Sequence, residues 1–285
     1  MKVCPYCNSA GDFYFKIGSR TYYRCIQCDL IFRSEHQSYN EVVSAYSHNY
    51  CGRYSTDQIE GGRNNLFHHI LDGIEKNTQI GELLDVGTGC GFFLEAAKTR
   101  GWEVEGIEPS IESVEIARRQ SDANVFHGTL QDYEGKDQFD VITLINVLEY
   151  SALPWREIDR ARQLLRPGGL VYLRFLNGSL HSKIYRLGIE CGLGNWISKF
   201  LVFHYYSFTL QFIRRLLING AFDEIRINNS PLTQGDPNNL FPSQIFATFV
   251  KKFIFSTAKC VEVMSAQRLL LGTSLEAMAR KTHEQ

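Results

Sequence analysis

The stretch Leu83–Ala97, LLDVGTGCGFFLEAA, constrains the fold more than any other. An apolar strand runs into glycines at 87, 89 and 91 and then directly into a helix-like run. Glycine adopts the left-handed backbone that a tight strand-to-helix turn demands. The same alternation continues downstream. FFLEAAKTR reads as a helix ending at Gly101, WEVEGI as a strand, and SIESVEIARRQ as a helix with Ser110 as its N-cap. NVFHG is a short strand, and FDVITLINVL a long, nearly all-apolar one suited to burial on both faces. WREIDRARQLL reads as a helix stopping before Pro167, and LVYLRF as another strand. Repeated strand–helix units imply a parallel α/β sheet covered on both sides. Ligands of such sheets sit at the carboxyl ends of the strands.

Four cysteines form a separate pattern. CPYC and CIQC place Cys4, Cys7, Cys25 and Cys28 as two CxxC knuckles, with strand-like DFYFKIG and TYYRC between them and LIF as a third strand. Each knuckle turns two sulfurs toward one ion, and four thiolates complete a closed tetrahedral site with no vertex for a catalytic water. A structural zinc ribbon over residues 1–35 is the expectation. The remaining cysteines, at 51, 90, 191 and 260, show no pairing pattern and read as small packing residues, thiols rather than disulfides. Residues 36–80 read as a helical lead covering the substrate, with Leu66, Ile70 and Ile74 at helical spacing and tyrosines at 39, 46, 50 and 54 before them. Residues 81–285 form the main domain. Near its end FTLQFIRRLLING is a helix, FDEIRINN a strand, and LGTSLEAMARK a last strand despite Gly272. An insertion over about 230–271 carries FATFVKKFIF as an amphipathic helix.

The glycine turn reads GxGxG, with Phe92 where the dinucleotide fingerprint GxGxxG has its third glycine. Asp85, at the strand tip before it, would repel a diphosphate and welcome a cationic ligand. Glu108, at the tip of the next strand in EGIEPS, is placed to accept the hydroxyl protons of a ribose. Together these features describe a pocket for an adenosine carrying positive charge instead of phosphate, and they disfavour a nicotinamide-dependent dehydrogenase.

In these residues the chain resembles the class I S-adenosylmethionine-dependent methyltransferases, from Leu83 to Phe175. LLDVGTGCG is similar to their glycine motif, VEGIEPS to the segment with the ribose-binding acid, and HGTLQD to the adenine-contacting loop. FDVITLINVLEYSALP is similar to the fourth strand and the loop beside the sulfonium, and LLRPGGLVYLRF to the turn and fifth strand. The resemblance implies a Rossmann-like doubly wound sheet, mostly parallel with an antiparallel last strand. It also implies S-adenosylmethionine contacts from Asp85, Gly87, Thr88, Gly89, Gly91, Phe92, Glu108, Pro109, Thr129, Leu130 and Asn146. Asp132 reads equally as the cap of a turn. The four-cysteine ribbon, and FHYYSFTLQFIRRLLINGAF with Ile213 in a leucine place, are similar to a bacterial branch that includes sugar C-methyltransferases. Many relatives read LEH after the fourth strand; this chain reads Leu148-Glu149-Tyr150, so the histidine is missing.

The expected activity is methyl transfer to a small molecule, a nucleotide-linked sugar or another saccharide or secondary-metabolite intermediate among the candidates. His204 is the first candidate base, followed by Glu149 and Tyr150. An RNA base methyltransferase using the ribbon as its RNA contact is the alternative, and a non-catalytic binding protein on the same fold a third reading. A formal net charge of −1 gives no basic footprint for nucleic acid. The start, MKVCPYCNSAGD, has no apolar signal core, and no uncharged apolar run reaches membrane-span length. A cytoplasmic protein with no membrane span is therefore expected.

Overall fold

The computed structural model describes residues 1–35, 63–135, 138–232 and 244–282. The four early tyrosines and most of the expected helical lead fall outside them. The cysteine-bearing start forms β1 (Lys2–Val3), β2 (Ala10–Ile17), β3 (Arg20–Cys25) and β4 (Ile31–Arg33). Helix α1 (Asn64–Glu75) follows, and its Leu66, Phe67, Ile70, Leu71 and Ile74 form one buried stripe.

The strand–helix alternation then unfolds as read: β5 (Glu82–Val86), α2 (Phe92–Thr99), β6 (Glu103–Glu108), α3 (Ile111–Ser121), β7 (Asn124–His127) and β8 (Phe139–Ile145). Ser110 caps α3 by accepting from the Ser113 amide. Strand β8 stops three residues short of the apolar run FDVITLINVL because Asn146 turns into the left-handed region at φ 58°. A 3-10 turn at Leu148–Tyr150 leads to α4 (Pro154–Leu164) and β9 (Leu165–Leu176).

Two helices absent from the sequence reading come next, α5 (Gly178–Glu190) and α6 (Gly194–Ile197). The chain closes with β10 (Tyr206–Ser207), α7 (Leu210–Asn219), β11 (Phe222–Asn229), α8 (Gln244–Met264) and β12 (Ser274–Lys281). Gly272 lies just outside β12, which is why it does not interrupt the strand. Among the described residues no helix is long and apolar enough to cross a membrane.

The large sheet has the order β11-β12-β9-β8-β5-β6-β7. Strands β9, β8, β5, β6 and β7 are parallel, and β12 runs antiparallel to both β9 and β11. The second sheet has the order β1-β2-β3-β4-β10, so the N-terminal ribbon takes its fifth strand from residues 206–207. Tyr6 of the ribbon packs against Trp155 and Phe212, with ring centroids 5.5 and 5.3 Å away. Cys4, Cys25 and Cys28 belong to the same apolar core as Leu144, Phe175 and Phe208. Of the cysteines read as packing residues, Cys191, the cap just after α5, and Cys260, on α8, are exposed thiols. Cys90 is buried and disulfide-bonded, against the expectation of a thiol.

Candidate functional site

The carboxyl ends of β5, β8 and β9 converge on one cavity of about 400 Å³. Register explains why Asp85 is held there: it stands level with Thr143 on β8 and Gly106 on β6. Thr143 Oγ1 donates to Asp85 Oδ1 at 2.5 Å. The carboxyl is 3% exposed, and burial pushes it up to about 7, with the nearby Glu108 charge adding to the rise and the hydroxyl bonds opposing it.

The turn after Asp85 is pinned to β6. Gly87 and Thr88 donate their amides to Ile107 O at 2.8 and 3.1 Å. Glu108 closes the turn from the same strand, accepting from Gly89 N at 2.9 Å and from Ser110 N at 3.0 Å. Burial raises this carboxyl to about 7 as well, against those two amides. Each carboxylate oxygen keeps a second lone pair, so the amide bonds leave Glu108 able to accept further donors. Two of the glycines are required by geometry. Gly87 lies at φ 69°, and a Cβ there would meet Val147 Cγ2 at 2.7 Å. Gly91 lies at φ 83°, where a Cβ would meet the Ala117 backbone at 2.8 Å and drive α3 away.

The opposite wall comes from β8, β9 and the segment before β10. Glu149 is 3% exposed; its Oε1 accepts from Leu176 N at 2.6 Å, while Oε2 is buried without a hydrogen-bond partner. Burial raises it to about 7 despite the Leu176 amide and the Arg174 charge. His204 packs edge-on against Tyr150, ring centroids 4.5 Å apart, and burial lowers it to about 4, with the His181 and Arg20 charges adding. Its imidazole is therefore neutral at ordinary pH and a weak proton acceptor.

Nine of the residues expected at the site line the cavity together: Asp85, Gly87, Thr88, Gly89, Phe92, Asn146, Glu149, Tyr150 and His204. Gly91 and Glu108 support the turn from behind, and Pro109 links Glu108 to the Ser110 cap. Leu130 is part of the apolar core. Thr129 donates its amide and hydroxyl to Asp132 Oδ2 at 3.0 and 2.6 Å, which makes Asp132 a turn cap. Sequence reasoning missed Arg63, Arg174, His181 and Phe200, all of which line the cavity. Only Arg174 carried a signal, as the charged residue in the apolar strand LVYLRF.

The four ribbon sulfurs lie within 4.8 Å of one another. Cys4 Sγ and Cys28 Sγ are 3.6 Å apart, and Cys7 Sγ and Cys25 Sγ 3.4 Å. A zinc ion with Zn–S bonds of about 2.3 Å separates its ligands by roughly 3.8 Å, so this donor set fits a closed tetrahedral site.

The model of a family described as Methyltransferase domain matches residues 60–220, more than half of the chain. The chain is similar to the ubiquinone biosynthesis O-methyltransferase of Actinobacillus pleuropneumoniae, 32% identical over 119 residues, covering 38% of this chain and 50% of that protein. The enzyme of the same name from Idiomarina loihiensis is 31% identical over 158 residues, covering 52% and 63%. The chain thus spans between half and two-thirds of the length of these relatives. Among solved structures, the Burkholderia thailandensis 1,6-didemethyltoxoflavin-N1-methyltransferase, bound to 1,6-didemethyltoxoflavin and S-adenosylhomocysteine, superposes with a TM-score of 0.56. That match is 14% identical and covers 95% of this chain and 99% of the other, a likeness of fold.

Proposed function

We propose that this chain, which belongs to the methyltransferase domain family, transfers a methyl group from S-adenosylmethionine to a small-molecule acceptor. The observation that carries the reading is the pair of buried acids, Asp85 and Glu108, crowning adjacent parallel strands around a glycine turn with no diphosphate cradle. Asp85 faces the cavity and takes the donor's ammonium side. Glu108 takes the ribose hydroxyls. Arg63, whose Nε is buried without a partner, stands just before α1, next to the turn: α1's Phe67 packs on Phe93 of α2 at 5.5 Å. It supplies the counter-charge for the donor's carboxylate.

The donor brings a methyl group already activated on a sulfonium; the chain's residues align, shield and deprotonate. Such alignment contributes on the order of 7–11 kcal/mol. Glu149 replaces His204 as the preferred base, because it lines the cavity, its Oε2 has no hydrogen-bond partner, and a proton affinity near neutrality suits general-base work. His204 and Tyr150 form the wall that orients the acceptor. A cavity of about 400 Å³ suits a small molecule, a saccharide intermediate included, and the net charge of −1 argues against RNA. Cys4, Cys7, Cys25 and Cys28 hold a structural zinc.

Calorimetric titration with S-adenosylhomocysteine tests the site. Asp85→Ala is expected to abolish or greatly weaken binding while circular dichroism shows an intact fold. Unchanged affinity contradicts the placement of the donor.

A further inference from the structure

Arg174 is the last charged residue before the carboxyl end of β9, two strands away from β5. Tyr172 is level with Asp85 through Thr143, so Arg174 lies two strand spacings of about 4.8 Å across and two residues along from Asp85, roughly 12 Å away, on the side of β8 opposite to the donor's strands. Its side chain is 4% exposed and lines the cavity. All of its hydrogen bonds go to neutral atoms. Nε donates to Ser230 Oγ at 2.9 Å, one terminal nitrogen to Pro231 O at 3.0 Å, and the other to Asn146 Oδ1. A guanidinium carries five N–H donors, so two remain after these three bonds.

Among the described residues no carboxylate lies within ion-pair distance of Arg174. Glu276 is engaged by Tyr172 Oη at 3.0 Å and by His69 at 3.2 Å. Glu149 spends one oxygen on the Leu176 amide. Arg63, a second cation, lines the same cavity. Its hydrogen-bond partners are all neutral, and the charges of Glu149 and Glu276 reach it only from beyond ion-pair distance; a cation held this way is expensive to bury, and a hydrophobic residue of similar size would pack there at lower cost. Guanidinium geometry matches carboxylate and phosphate oxygens two at a time.

We propose that the acceptor carries an anionic group, carboxylate or phosphate, and presents it to Arg174. The proposal rests on the donor assignment above, since it gives Asp85 and Arg63 to the donor and leaves Arg174 to the acceptor. The Asn146 bond adds a positioning role: an anion on Arg174 is tied directly to the left-handed residue at the end of β8, the strand tip beside the transferring methyl group.

Calorimetry tests this with inorganic pyrophosphate, benzoate and neutral benzamide as probes, titrated into the full chain with and without saturating S-adenosylhomocysteine. At least one anion is expected to bind, and benzamide to bind at least tenfold more weakly than that anion. Preference for pyrophosphate identifies a phosphorylated acceptor, and preference for benzoate a carboxylic acid. Arg174→Met should weaken the bound anion at least tenfold with S-adenosylhomocysteine affinity unchanged, and Arg174→Lys should recover part of the loss. Glu149→Gln, which removes the nearest competing carboxylate, should tighten the same anion, and it keeps the test decisive if Arg174→Met does not fold. Absence of anion binding to the wild type, or undiminished binding in Arg174→Met, overturns the proposal, as does unchanged or weaker binding in Glu149→Gln. Failure of S-adenosylhomocysteine itself to bind overturns the donor assignment instead, and the anion titrations without it are then read alone.

Discussion

Removing metal from the ribbon should loosen the acceptor wall and leave the donor site intact. The coupling is visible in the contacts of residues 203–209, the segment that carries His204. Strand β10 pairs with β4, Tyr206 opposite Phe32 and Ser207 opposite Ile31. Arg33 N donates to Tyr205 O at 3.0 Å, Tyr22 Oη to Phe203 O at 3.4 Å, and Thr209 Oγ1 to Asp29 O at 3.2 Å. The Arg33 guanidinium lies 4.3 Å above the Tyr205 ring. Each hydrogen bond contributes about 1 kcal/mol and the cation–π contact about 0.5–1 kcal/mol. Losing all four amounts to roughly 3–4 kcal/mol, or about 10²–10³ in the equilibrium for local opening. A 35-residue ribbon lies below the size at which a core alone sustains a fold, so stripping its metal should release these contacts together.

Hydrogen exchange read by mass spectrometry, on metal-loaded and chelator-stripped protein, measures that opening. Protection over 203–209 should fall by two to three orders of magnitude. S-adenosylhomocysteine affinity should stay within about threefold, because among the described residues no hydrogen bond joins the ribbon to β5, β6 or β7. Cys28→Ser should reproduce the result, and elemental analysis of the loaded protein should find one zinc per chain. Protection that survives the loss of metal would refute the claim that the ribbon holds the wall.

Two further outcomes concern the buried carboxyls. Asp85 and Glu108 are both raised to about 7 by burial, above their unfolded values. Between about pH 4 and 7 the native state therefore keeps protons that the unfolded chain has released, and ligand-free stability falls as pH rises through that window. Melting temperature followed from pH 5 to 8 should show a shallower decline in the Asp85→Asn, Glu108→Gln double variant; equal slopes would remove burial as the cause. Glu149→Gln should preserve the Leu176 bond through its amide oxygen and, once an acceptor is in hand, lower kcat by on the order of 10²–10⁴ and flatten the limb of the pH–rate profile near 7. A retained limb would return the base to His204 or Tyr150.

The α/β frame was legible because its signals are local. Alternating apolar runs, the Ser110 cap and the glycines of the first turn each declare an element within a few residues. The Cys4–Cys28 knuckles are legible for the same reason, since metal ligand spacing is a local code. What escaped depends on contacts distant in sequence. Tyr206 and Ser207 have no strand signature of their own and become β10 only because β4 offers an open edge. Helix α5 was lost in SLHSKIYRLGIE, where histidine, serine and glycine blur the apolar stripe. Glu149 could be named as a candidate but not ranked above His204, because the unpartnered Oε2 and the depressed imidazole are products of packing. Arg174 showed only as an anomaly in an apolar strand, and its meaning came from the neutral atoms that accept its hydrogen bonds.

The electrostatics of the cavity explain how three carboxyls can be buried in one place. Without ligand, burial raises Asp85, Glu108 and Glu149 alike to about 7, which favours the protonated forms and avoids placing three bare charges in a medium of low dielectric. A cationic donor seated between β5 and β6 favours the ionised forms of the first two, so its binding should release protons at neutral pH and tighten as pH rises through 7. An anion on Arg174 acts in the opposite sense on Glu149, raising its proton affinity. The two ligands therefore polarise the three acids differently: the donor side becomes charged, while the acceptor side holds a carboxyl better able to take a proton. That division follows strand order, acids on β5 and β6 and the buried cation on β9, with the Asn146 turn of β8 between them.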